Sequence, residues 1–184
     1  MRLLSRAALI VAATVVAVPV AHAQIATSFS IAAGATMPIG TTGDVYDMGY
    51  NAILGVGIKP PLAPVGARIE GMYTQMMAKE NPLFPGVDVG SRTLAGIANV
   101  TISGAGMAVP MGYLIGGLGL YNSACAGADC GSGVSSTTDM GINVGVGLNI
   151  PLTGFGTFVE ARLHVVMSDG EKVKFIPITF GMKF

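Results

Sequence analysis

Phe175-Ile176-Pro177-Ile178-Thr179-Phe180-Gly181-Met182-Lys183-Phe184 is the stretch whose reading decides the fold. Ile176, Ile178, Phe180, Met182 and Phe184 recur at every second position, and Pro177, Thr179, Gly181 and Lys183 lie between them. A period of two marks a strand with one apolar face and one small or polar face. An aromatic last residue suits a strand that closes a barrel in lipid, where the apolar face meets acyl chains. The expectation is an all-β chain: an eight-stranded, antiparallel, up-and-down transmembrane β-barrel.

Working back from this strand, seven more stretches alternate in the same way: 28–37, 49–59, 65–77, 92–103, 111–121, 140–150 and 155–167. The cleanest is the sixth, where Met140, Ile142, Val144, Val146, Leu148 and Ile150 alternate with Gly141, Asn143, Gly145, Gly147 and Asn149. The fifth is ambiguous. Its favoured facing puts Leu114, Leu118 and Leu120 outward and Tyr113, Ile115 and Tyr121 inward. The connections after stretches one, three and five are long. Those after two, four and six are short and carry Pro or Gly, and the one after seven is short but charged. The longest loop expected is 122–138. Short turns on one side and longer loops on the other is the arrangement of outer-membrane barrels, with the short side in the periplasm.

The start of the chain is expected to be removed. Arg2 and Arg6 give a positive flank, Ala7 to Val20 is apolar, and Ala21-His22-Ala23 is a cleavage signal. The domain reading is therefore residues 1–23 as signal peptide and 24–184 as barrel. Without Arg2 and Arg6 the basic count falls from 10 to 8 against 10 acidic residues, which excludes a generic nucleic-acid binder. Hydrophobic residues make up 51% of the chain and charged ones 11%, yet no apolar run in 24–184 approaches the ~18 residues of a spanning helix. Inside a bilayer, backbone groups are satisfied only by helices or closed sheets. Closure is the route left. A soluble secreted β-barrel binding an apolar ligand is the competing reading. It would put many Lys and Glu on the non-apolar faces, whereas Gly, Ala, Asn and Thr dominate them here.

The export signal, the eight dyad strands and terminal Phe184 resemble the small outer-membrane β-barrel proteins of Gram-negative bacteria, the OmpA/OmpX-like superfamily. Gly-Ala-Thr-Met-Pro-Ile-Gly at the end of stretch one and Tyr-Leu-Ile-Gly-Gly-Leu-Gly-Leu-Tyr in stretch five are also similar to that group. The resemblance implies an outer-membrane location and a monomer among outer-membrane lipids. It also implies delivery by the barrel-assembly machinery, which would read the terminal strand through Ile176, Ile178, Phe180, Met182 and Phe184. No peptidoglycan-binding domain follows the barrel, so a cell-wall tethering role is not expected.

Chemistry is sparse. Arg68, Glu70, Glu160, Arg162 and His164 fall on inward faces, with Lys59 and Lys183 near the short-turn end. Groups crowded into a narrow lumen must pair or be hydrated, so these seven are expected to form a lumen ion-pair network. The structural expectation is a plug that holds the barrel shut; the functional one is a gate or narrow pore, because intramembrane charges are candidates for function. Cys125 and Cys130, close together in an exported chain, are expected to form a disulfide. Enzyme activity is not expected: His164 and Ser168 share a face but lie ~13 Å apart, beyond the reach of a nucleophile and its base. No cofactor or metal is expected, since Asp44, Asp47 and Asp129 fit no calcium-loop pattern. The role expected is structural or adhesive, with the narrow pore second.

Overall fold

The computed structural model describes residues 26–61, 63–80, 86–104, 111–131, 135–152, 155–168 and 170–184. The expected signal peptide lies outside them. Eight strands follow in order: β1 (Ala26–Pro38), β2 (Gly49–Lys59), β3 (Val65–Met77), β4 (Gly90–Ser103), β5 (Met111–Ala126), β6 (Thr137–Pro151), β7 (Gly156–Ser168) and β8 (Glu171–Lys183). A one-turn helix, α1 (Thr41–Val45), sits between β1 and β2. Each strand pairs antiparallel with the next, and β8 returns to β1, giving a closed barrel.

Closure runs from Ser30 opposite Lys183 to Pro38 opposite Phe175. Beyond the last ladder pair, Phe29 and Phe184 exchange both backbone bonds, at 3.0 and 2.9 Å. No strand edge is left open along this seam, which removes the unpaired N–H and C=O groups that an edge exposes. Pro177 interrupts the β7–β8 ladder, where Arg162 and Leu163 have no ladder partner. Proline has no N–H to donate. The register on either side of the break is the same, so facing is preserved.

The alternation has the sense that lipid requires. Leu118 is 59% exposed and Val144 62%, while Glu160 is 1% and Arg162 2% exposed. Phe29, Ile31, Leu54, Val56, Ile69, Leu94, Val100, Leu114 and Phe180 share the outer band. β5 takes the favoured facing, with Tyr113, Ile115 and Tyr121 inside.

An eight-strand barrel has an interior just wide enough for side chains to fill. Inward glycines receive the largest of them. A Cβ on Gly147 would run into the Tyr113 ring, one on Gly181 into the Phe158 ring, and one on Gly141 into the Tyr121 ring.

Several boundaries differ from expectation. β5 extends to Ala126 and β6 begins at Thr137, so both ends of the expected 122–138 loop are strand. Asn122 Nδ2 donates to Thr138 Oγ1 across that ladder at 2.8 Å. Polar residues pair here because this part of the hairpin no longer needs an apolar face. Glu171 pairs with Ser168, so the short charged connection after stretch seven is tighter than expected, with Gly170 at φ 87°. That φ is open to glycine at little steric penalty.

Candidate functional site

β3 and β7 lie opposite each other in the barrel, four strands apart either way. Both run in the same direction. Arg68 and Glu70 point inward two residues apart on β3, and Glu160 and Arg162 do so on β7 in the reverse charge order. The two strands therefore place opposite signs face to face at two successive levels. Arg68 meets Glu160 at 2.6 Å and Arg162 meets Glu70 at 2.5 Å across the lumen. Along each strand Arg68 Nε lies 2.7 Å from Glu70 Oε1, and Arg162 Nε lies 2.6 Å from Glu160 Oε1. These two along-strand contacts are off the hydrogen-bond axis, so they are Coulombic contacts rather than directed bonds. The result is a square of alternating charges with no formal net charge.

Neutral groups complete it. Tyr113 donates to Glu160 Oε2 at 2.5 Å and Asn99 Nδ2 to Glu70 Oε2 at 2.7 Å. Asn143 Nδ2 donates to Asn99 Oδ1 at 2.9 Å. The Arg68 guanidinium also lies 5.7 Å from the Phe158 ring centre, within cation–π range. Removing ions from water is expensive, and only such dense pairing offsets it.

The seven-member network expected from sequence is corrected to four. His164 stands apart: its Nδ1 shares a 2.8 Å hydrogen bond with the Tyr121 hydroxyl, and its ring stacks on Phe175 at 5.1 Å. The ring is buried beside apolar side chains and forms no ion pair among the described residues. Lys59 Nζ reaches Ser103 Oγ at 3.2 Å, and neither Lys59 nor Lys183 meets a carboxylate among the described residues. Both lie at the ends of their strands, too far along the axis to join the square. Tyr113, Asn99 and Asn143 went unassigned in the sequence reading. Their inward facing was legible, but their bonds depend on which strands meet across the lumen.

On one side of the square an apolar cluster fills the barrel, including Ile53, Met72, Met76, Ile97, Tyr121, Val166 and Phe175, with Tyr46 packed against it. The connections at that end are tied together. Ile39 N donates to Lys174 O and Lys174 N to Thr42 Oγ1; Lys79 N donates to Val45 O, and Asp88 N to Asp129 Oδ2 at 2.6 Å. Cys125 and Cys130 form a disulfide beside the last contact. Asp129 is thus engaged with the neighbouring connection. On the other side of the square lies a small polar cavity at the short-turn mouth.

No family model and no curated protein matches the sequence. The fold is similar to Neisserial surface protein A, with a TM-score of 0.64 at 15% identity over 85% of this chain and 94% of that one. It is also similar to a major outer membrane protein from Thermus thermophilus, with a TM-score of 0.56 at 14% identity over 86% and 98%. The attachment invasion locus protein Ail of Yersinia pestis gives 0.51 at 18% over 86% and 97%. The chain has the fold of a small outer-membrane barrel. At these identities the likeness concerns the fold alone, and the roles of the individual side chains rest on the geometry above.

Proposed function

We propose that this chain is an integral outer-membrane protein that acts through its outer surface, in envelope structure or adhesion, and conducts nothing through its lumen. The observation that carries the reading is the direction of burial: large apolar side chains face outward all round while two Arg–Glu pairs are sealed inside. A soluble barrel binding an apolar ligand needs the opposite sense. The charge square and the apolar cluster above it fill the axis, which favours a plug over a pore. The long connections, braced to one another, fit the outer face; the short-turn mouth fits the periplasm. Export by residues 1–23, assembly through the terminal strand, and a monomeric, non-catalytic state belong to the same reading.

Cell fractionation with gel mobility before and after boiling tests the location. The expected outcome is an outer-membrane band that shifts on heating; a chain in the soluble fraction would overturn it. Planar-bilayer recording tests the plug, with no steady conductance expected. A stable single-channel level would turn the reading to the narrow pore.

A further inference from the structure

The polar cavity at the short-turn mouth borders the charge square and shares Arg68 and Tyr113 with it. Its volume is about 70 Å³. A water needs about 10–15 Å³ on this measure, so the space exceeds one water several-fold. Lys59 and Lys183 line it, together with Ser28, Thr101 and Ser103 and with Arg68 of the charge square.

The charge balance is one-sided. Arg68 is already neutralised by Glu70 and Glu160. Lys59 spends one of its N–H groups on Ser103, and Lys183 makes no ion pair among the described residues. The sequence segments that join β2 to β3, β4 to β5 and β6 to β7, residues 60–64, 104–110 and 152–155, contain no charged residue. Two lysines therefore line one cavity together with hydroxyl side chains, and neither is paired with a carboxylate among the described residues. Lys and hydroxyl donors are common partners of phosphate oxygens.

We propose that the short-turn mouth of the barrel is a binding site for a small tetrahedral oxyanion, inorganic phosphate or a phosphate monoester. Lys59 and Lys183 supply the charge, and Ser103, Thr101 and Ser28 supply hydroxyl donors, while the Ser30 hydroxyl is turned to the Gly55 carbonyl at 3.3 Å. The cup lies inside the ring of strands and opens along the barrel axis. The ligand enters from the aqueous phase rather than from the bilayer, which favours a free anion over a lipid headgroup. The inference depends on the filled lumen and not on the membrane in which the barrel sits.

The test is an NMR titration of the folded chain in neutral detergent micelles. Inorganic phosphate replaces chloride at constant ionic strength, and the signals of Lys59, Ser103 and Lys183 are followed. A saturable shift at these three is expected, with none at Lys174, which lies toward the other end. Lys59→Gln with Lys183→Gln abolishes saturation, and Lys59→Arg with Lys183→Arg retains it. Heat-modifiable mobility confirms that each variant is folded. Should the Gln pair fail to fold, the unmodified protein decides alone. Shifts that stay linear in phosphate, or that match at Lys174, would overturn the site. A saturable response to micelles doped with short-chain phosphatidic acid, without one to inorganic phosphate, would reassign the cup to a headgroup and overturn the free-anion proposal.

Discussion

Arg162 is the more deeply buried of the two arginines in the square. Both arginines contact both glutamates, but the Arg162 side chain is 2% exposed whereas that of Arg68 is 10% exposed and borders the polar mouth. Removing one partner from a buried ion pair costs about 3–5 kcal/mol because the remaining charge is left unpaired. Arg162→Met should therefore lower the unfolding free energy of the barrel in micelles by about that amount. Arg68→Met should lower it less, since water from the cup can solvate the bared carboxylates. Urea unfolding followed by tyrosine fluorescence, or by gel mobility, reads both; equal losses would contradict the difference in burial. The glycines make a second contrast. Gly147→Ala drives a methyl into the Tyr113 ring and should cost ~1–3 kcal/mol by overpacking. Gly71→Ala and Gly96→Ala add a methyl on the outer face, where nothing lies within 4 Å, and should stay within about 0.5 kcal/mol of the parent.

β6 and β8 set the element scale. Val144 lies in the middle of β6 and faces out. An arginine at the midplane of a lipid-facing strand costs about 2–4 kcal/mol, so Val144→Arg should reduce the heat-modifiable fraction in vesicles while leaving a micelle-refolded sample less affected. Just past the end of β8 the backbone of Phe184 completes the seam with Phe29, and its ring lies 6.4 Å from that of Phe155. If the terminal strand is the assembly signal, Phe184→Ala with Phe180→Ala should cut the amount of folded barrel in the outer membrane, measured by fractionation. Its refolding in micelles should change far less. At the other end, the Cys125–Cys130 bridge belongs to the extension of β5 beyond the apolar band. Reduction should make the β5–β6 connection more open to protease without altering barrel mobility on a gel; loss of the folded band would show that the bridge supports the strands themselves.

At the scale of the molecule, an outer apolar band, a neutral charge square and an apolar cluster are stacked in one cylinder. The band suits lipid, and the filled axis is what supports the proposed plug. The braced connections at one end and the cationic cup at the other are the two surfaces left to meet aqueous partners. The interior of a barrel this size holds little besides its own side chains, because eight strands enclose no wider space.

The sequence by itself determined the strands, their number and the facing of all but the fifth. Alternation with period two is local: Ile142, Val144, Val146 and Leu148 mark one face of β6 whatever lies beside it. It also flagged the inward charges, since Arg68, Glu70, Glu160 and Arg162 share parity with the small residues around them. Strand ends beyond the apolar band were not legible, because Asn122, Ser123, Thr137 and Thr138 pair in water, where no alternation is demanded. Only the tertiary structure decided which charges meet. Closing eight strands sets β3 against β7 and brings residues 92 positions apart into contact at Arg68–Glu160 and Glu70–Arg162. The same closure leaves His164, Lys59 and Lys183 at other heights along the axis. Height in the lumen depends on the register of every ladder around the ring, which no single stretch of chain encodes.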